Sequence, residues 1–320
     1  MPETKFRKIN NLIGWLLFSV ALFTYGLTVE PTASYWDAGE YISTSAKLQV
    51  GHPPGAPFFQ MMGAVFSMFA SNNESIAIAV NFLSVVSSAF VILFLFWSTT
   101  LFLKKISKKN NFTNDTNILL SSSIGALAFT FSDSFWFNAV ETEVYALAML
   151  FLSATFWCGL RWEKDFNNKR GDKWLLLICF LIGLSFGVHF MAILTIPAIG
   201  MIYFFKKYRK ITIKNFVLAN IISVSILLFI FKLLLPSTLS LFGQLEVFFV
   251  NSIGLPFNSG TIIAAFLIVS FFYKSLSYTK LKGMVQANTL ILCILFIFIG
   301  FSSWLMLPIR SNANTVINEN

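Results

Sequence analysis

The chain has 320 residues, of which 56% are hydrophobic and 12% charged, with 38 phenylalanines among them. A soluble domain is roughly 45–50% apolar and about 25% charged, so this balance excludes an ordinary soluble globular protein and predicts an all-α, polytopic helical membrane protein. The net charge of +9 would suggest nucleic acid in a soluble chain, but here it sits between apolar runs, and no nucleic-acid partner is expected.

Residues 1–10 carry Lys5, Arg7 and Lys8 ahead of a first apolar run, 11–29. Nineteen residues is long for the core of a secretory signal and no small-x-small cleavage site follows, so the run is predicted to be an uncleaved anchor. Further runs follow at 76–103, 118–137, 144–160, 174–205, 215–235, 259–273 and 287–304, each weighed against a hydrocarbon core of about 30 Å. Basic residues fall in five clusters, at 5–8, 104–109, 161–173, 206–214 and 274–282, which hold 20 of the 23. Lys and Arg concentrate in cytoplasmic loops, so successive clusters must be separated by an even number of crossings. The run 174–205 has a cluster at each end and is therefore split near Gly187-Val188-His189 into two short helices of about 24 Å each. The reading is about nine transmembrane helices in a domain spanning 11–304, N-terminus cytoplasmic. A first outer loop covers 30–75, and 305–320 begins another outer loop. Amphipathic helices at 58–70 and 241–257 are placed on the outer surface. Cys158, Cys179 and Cys293 each lie in an apolar run and read as packing residues.

Nine of the fourteen acids then lie on the outer face, and none in the middle of a predicted crossing. Proton-coupled transporters tend to place ionisable groups at mid-membrane, which weighs against transport. A helix from 36 to 48 would put Asp37 and Glu40 on one face by their spacing of three. They either stabilise the helix dipole or, held at headgroup depth by Tyr35, Trp36 and Tyr41, supply a general base towards a hydroxyl. His52-Pro53-Pro54-Gly55 is a rigid turn, with His52 either a phosphate contact or a cap. Glu141 and Glu143 would share a face of an extended segment, where a divalent cation, Mg or Mn, could bridge them to a phosphate; the bland alternative is a solvated helix start. His189 sits at a predicted hairpin tip, as a phosphate donor or a turn cap. Arg310 is the sole outer arginine, as a phosphate ligand or an interfacial anchor.

Together, WDAGEYISTSAKLQVGHPPGAPFF, FWFNAVETEVYAL, GLSFGVHFMAIL, FFVNSIGLPFNSG and WLMLPIRSNANTVINEN resemble a bacterial membrane family, formerly of unknown function, related to the animal O-mannosyltransferase that acts on plexin-type receptor domains. The resemblance implies a fold of the GT-C glycosyltransferases, multi-span enzymes that take a sugar from a polyprenyl-phosphate carrier on the non-cytoplasmic side. It further implies transfer of mannose or another hexose to a Ser or Thr hydroxyl of an exported protein, in the bacterial inner membrane. By the same resemblance Asp37 matches the catalytic base, Glu40 shares its motif, and Glu141 and Glu143 resemble the second-loop acidic pair that binds metal in some members. His52, His189 and Arg310 are the expected contacts of the donor phosphate. The chain departs from the family in two ways: the family is usually proline-rich where this chain reads Asn314-Thr315-Val316, and its members generally continue further, so the chain is expected to be a fragment or an N-terminal portion. A transporter or flippase of a lipid-linked sugar and a non-catalytic membrane assembly protein are the rival readings.

Overall fold

A computed structural model describes residues 1–110, 113–168, 171–208 and 210–319. Lys169, Arg170 and Arg209 of the basic clusters, and Asn320, lie outside the described residues. A backbone in hydrocarbon must satisfy its own hydrogen bonds, which leaves helices as the local solution for these apolar runs. The described residues form α1 (Glu3–Leu27), α2 (Ala38–Ala46), α3 (Pro57–Ser67), α4 (Ile76–Asn110), α5 (Asp115–Thr130), α6 (Asp133–Ala139), α7 (Val144–Asp165) and α8 (Asp172–Ser185), then α9 (Ile196–Lys207), α10 (Ile213–Leu228), α11 (Leu235–Val247), α12 (Ser259–Leu281), α13 (Val285–Phe301) and α14 (Met306–Ser311). No strand occurs among them. This is an all-helical polytopic membrane protein.

Seven helical stretches are long and apolar enough to cross a membrane, or eight when α5 and α6, bent by 67° at Phe131-Ser132, count as one span. The expected nine is thus one or two too many by that measure. The difference falls at α8, whose 14 residues reach only about 21 Å. The split predicted at Gly187-Val188-His189 is present: α8 ends at Ser185, and a 3-10 turn, Phe190–Thr195, leads into α9. A second correction concerns 241–257. It is not a separate surface element, because helix runs on from Ile213 to Ser252. Pro236 removes a backbone donor there, and the π-helical stretch Phe229–Leu234 just before α11 absorbs the lost register.

The described residues of the five basic clusters gather at one end of the bundle. Lys104 and Lys164 pair with Glu3 at 2.8 and 3.5 Å, the N-terminal amine with Asp115 at 3.1 Å, and Lys206 and Lys105 with Glu163. α8 and α13 run parallel, with Gly183 against Ile297, Phe186 against Phe301 and Gly187 against Ser303, so the start of α13 and the cluster before it lie at that same end. A Cβ on Gly183 would sit 2.0 Å from the Ile297 carbonyl oxygen; glycine is what lets the two backbones touch, the small-residue packing that replaces hydrophobic association in lipid.

The opposite end is stitched by polar contacts between loops. Asn81, buried on α4, donates to the carbonyls of Glu30 and Thr32 at 2.6 and 3.0 Å and accepts from the Thr142 hydroxyl. Glu30 N–H donates to Val140 at 2.9 Å, and Phe58 and Phe59 N–H donate to the Gly187 carbonyl at 2.7 and 3.0 Å. These bonds bring the two acidic loops and the α8–α9 hinge to one surface.

Candidate functional site

Asp37 occupies the N-cap position of α2, directly after Trp36, whose φ of 58° lies in the left-handed region, a costly conformation for so bulky a residue. The turn leaves the Tyr35 and Trp36 rings exposed and aims the Asp37 carboxylate, 54% exposed, at the His52 imidazole, with Oδ2 3.9 Å from Nε2. One turn along α2, Glu40 reaches the other side of that ring: Oε2 lies 2.9 Å from His52 Nδ1. Its second oxygen accepts the His52 backbone N–H at 2.7 Å. Gly51 makes the approach possible, since a Cβ there would fall 2.6 Å from Glu40 Oε1. The hydrogen bond to Glu40 raises the His52 pKa; burial opposes this, and the charges of Glu40, Asp37 and Glu319 add to the rise.

Glu141 and Glu143 are both buried, 3% and 6% exposed, which rules out a solvated helix start. The segment is not extended either: Glu143 N–H donates to the Glu141 carbonyl at 3.0 Å in a bend before α7. The bend sends the two side chains to different neighbours. Glu143 lies by Asp37, whose backbone N–H and that of Val144 face its carboxylate; burial first, then the charges of Asp37 and Glu141, push its pKa to about 7. Glu141 lies by Ser34 and Glu30, and burial raises its pKa. The Ser34 hydroxyl is near enough to oppose that rise but is not in hydrogen-bonding geometry with it.

His189 lies away from this group, stacked on Phe190 at 4.5 Å and beside Tyr145 at 5.8 Å between ring centroids. Burial lowers its pKa, and its Nδ1 is enclosed without a hydrogen-bond partner. Arg310 points to the far end of α2, donating from Nε to the Leu48 carbonyl at 2.5 Å and from Nη2 to that of Lys47 at 3.3 Å. A guanidinium on the carbonyl end of a helix is favourable, and Arg310 thereby clamps the segment that leads to His52. Beyond it, Val50 N–H donates to Ile317 and Glu319 N–H to Val50, both at 3.1 Å, in a parallel bridge.

The structure therefore brings Asp37, Glu40, His52 and Glu143 together and leaves Glu141, His189 and Arg310 around them. Sequence reasoning treated Tyr41 only as an interfacial aromatic. It is buried against Phe59 at 5.1 Å and His52 at 5.9 Å, and burial, then the charges of Glu143, Asp37 and Glu40, raise its phenol pKa. Its position four residues after Asp37 was the available signal.

Glu141 and Glu143, the pair expected to hold a divalent cation, are near enough that the charge of Glu141 raises the Glu143 pKa, while Ser34 and Glu30 flank the first and Asp37 the second. Among the described residues, Asp37, Glu40 and His52 do bring ligand atoms within 4.8 Å of one another. In this arrangement the imidazole bonds Glu40 through Nδ1.

Residues 37–212 match the family described as the N-terminal domain of protein O-mannosyl-transferase TMEM260. The chain belongs to this family. The matched region begins at Asp37 and includes every residue of the cluster. A Dictyostelium discoideum protein called protein O-mannosyl-transferase tmem260 is 30% identical over 158 residues, 48% of this chain and 18% of that protein. The mouse protein O-mannosyl-transferase TMEM260 is 28% identical over 178 residues, 54% of this chain and 23% of its own length. The match thus spans about a fifth of these curated relatives. No solved structure matches the chain.

Proposed function

We propose that this chain carries the catalytic end of a membrane glycosyltransferase of the GT-C type, moving mannose or another hexose from a polyprenyl-phosphate carrier to a Ser or Thr hydroxyl of an exported protein. What supports the reading most is the half-exposed Asp37 carboxylate beside an imidazole held by Glu40, within the region shared with the O-mannosyl-transferase family. In the transfer, the acceptor oxygen attacks the anomeric carbon and its proton passes to Asp37. The bond from that carbon to the phosphate oxygen breaks, and polyprenyl phosphate leaves with the electron pair. Phosphate is a good leaving group and needs charge stabilisation more than an acid. His52, whose tendency to hold a proton is raised by Glu40, is the nearest donor for it when its ring is protonated at Nε2. Arg310 acts from behind by fixing the loop at Lys47 and Leu48. No step is routed through Mg or Mn at Glu141 and Glu143.

The positive-inside rule puts the basic end in the cytoplasm, and hence the acidic end on the periplasmic or outer face of a bacterial inner membrane. The test is mass spectrometry of hexose on Ser and Thr of exported proteins, in deletion cells carrying the full-length wild type or its Asp37→Asn variant. Hexose should return with wild type alone, and the variant should insert normally. Modification that survives deletion of the gene would falsify the protein-acceptor reading, and a fully active Asp37→Asn would remove Asp37 as base.

A further inference from the structure

From the basic end towards the α8–α9 hinge, an apolar cleft of about 450 Å³ runs between α8, α9 and α10, a volume in the range of ligand sites. Ile178 and Ile182 of α8 form one wall, Ile199 of α9 the floor, and Leu218, Ile222 and Ile226 of α10 the other wall. The cleft follows α10 and the start of the π-helical stretch, from Asn215 to Ile230, about 22 Å at roughly 1.5 Å per residue. Gly200 and Ser223 set its depth by bringing α9 against α10: a Cβ at Gly200 would fall 2.1 Å from the Ser223 hydroxyl oxygen.

The rim is of another character. At the basic end it carries Tyr203, Tyr208 and Asn215, with Trp162 stacked on Tyr203 at 6.0 Å and 5° between planes. Lys207, Lys210 and Lys214 stand on the segments that bear this rim. All three are exposed, and none has an acidic partner among the described residues, whereas Lys206 pairs with Glu163. An apolar slot with aromatics at one end, and with exposed lysines directly beside its rim residues Tyr208 and Asn215 in the chain, complements an amphiphile with a hydrocarbon tail and an anionic head. Basic pockets between membrane helices on the cytoplasmic side bind anionic headgroups in this way.

We propose that the α8–α9–α10 cleft holds one anionic phospholipid, its acyl chain along α10 and its phosphate against Lys207, Lys210 and Lys214. The sugar donor is a different ligand, because its phosphate must reach the acidic end to react. The site stands independently of the proposed transferase activity.

The protein, delipidated in detergent, is examined by native mass spectrometry with phosphatidylglycerol and phosphatidylcholine of identical chains. One phosphatidylglycerol should be retained per chain, with phosphatidylcholine held at least several-fold more weakly. Lys207→Gln with Lys214→Gln, both at exposed positions, should weaken phosphatidylglycerol about 30-fold, at about 1 kcal/mol per lysine, and leave phosphatidylcholine unchanged. Ala219→Trp, which fills the cleft, should weaken both; if that variant fails to fold, the lysine pair still decides. Equal retention of the two lipids, or a headgroup preference untouched by the lysine pair, overturns the proposal. So does displacement of phosphatidylglycerol by equimolar polyprenyl phosphate, which would make the cleft a carrier site.

Discussion

Glu40 holds His52 twice with one carboxylate, by Oε2 to the ring Nδ1 at 2.9 Å and by Oε1 to the backbone N–H at 2.7 Å. Both the position and the charge of the imidazole therefore depend on Glu40, and the free Nε2 is turned towards Asp37. Glu40 is thus a positioning residue, distinct from the base that its neighbour Asp37 is proposed to be. Removing a donor that stabilises developing charge costs about 100-fold or more in kcat, so His52→Ala should lose on that order. Glu40→Gln should lose less, and it should move the basic limb of the kcat profile to lower pH, because the carboxylate no longer raises the His52 pKa. Transfer assayed from pH 5 to 9 checks this; a loss with an unmoved profile would leave Glu40 only a structural part.

The sequence carried the helices and the charge polarity but not the way the second acidic pair divides. Apolar runs and basic clusters are long-range averages, robust to a residue's detail, and the helices follow them from α1 to α13. Asp37 and Glu40 were legible for the same kind of reason, since helical spacing fixes a shared face. Glu141 and Glu143 were not, because their directions depend on a single bend at the start of α7, itself fixed by Thr142 bonding to Asn81, 61 residues away. Arg310 was hidden in the same way: its carbonyl partners lie more than 260 residues away.

The bend gives Glu143 a measurable signature. Its pKa is raised from 4.5 to about 7 when folded, so between those values the folded state keeps a proton that the unfolded chain has lost. Stability from this group is complete below about pH 4.5 and falls as pH rises through 7. The shift corresponds to a difference on the order of 2–3 kcal/mol between pH 5 and 8. Glu143→Gln, which mimics the protonated form, should flatten the slope of thermal stability across that range. His52, also raised, loses stability in the same direction and should account for part of what remains. A wild-type protein as stable at pH 8 as at pH 5 would refute the burial of an ionisable Glu143.

Metal dependence follows from where the carboxylates face. With Glu141 turned to Ser34 and Glu143 to Asp37, and with His52 engaged by Glu40, transfer should retain full activity in excess EDTA. Added Mg or Mn should not raise it. Activity that disappears in EDTA and returns with one of these ions would mean that the carboxylates reorganise around a cation when donor binds.

The contact between α8 and α13 offers a test of the fold apart from the chemistry. At Gly183 an added Cβ would overlap the Ile297 carbonyl oxygen at 2.0 Å, and at Gly300 it would lie 2.3 Å from that of Phe180. In both cases the obstacle is backbone, which cannot swing aside as a side chain can. Gly183→Val should therefore separate two parallel helices along their length and cost more than about 3 kcal/mol, in the exceptional range for one substitution. Gly125, by contrast, has nothing within 4 Å of its Cβ position and lies within α5, where Gly→Ala favours the helix by about 1 kcal/mol. Thermal unfolding in detergent should thus show Gly183→Val strongly destabilised and Gly125→Ala neutral or stabilised. The break would reach the functional end as well, since the α8 hinge carries the Gly187 carbonyl that anchors Phe58 and Phe59 at the start of α3. Equal stability of the two variants would mean that α8 and α13 are held by something other than this backbone contact.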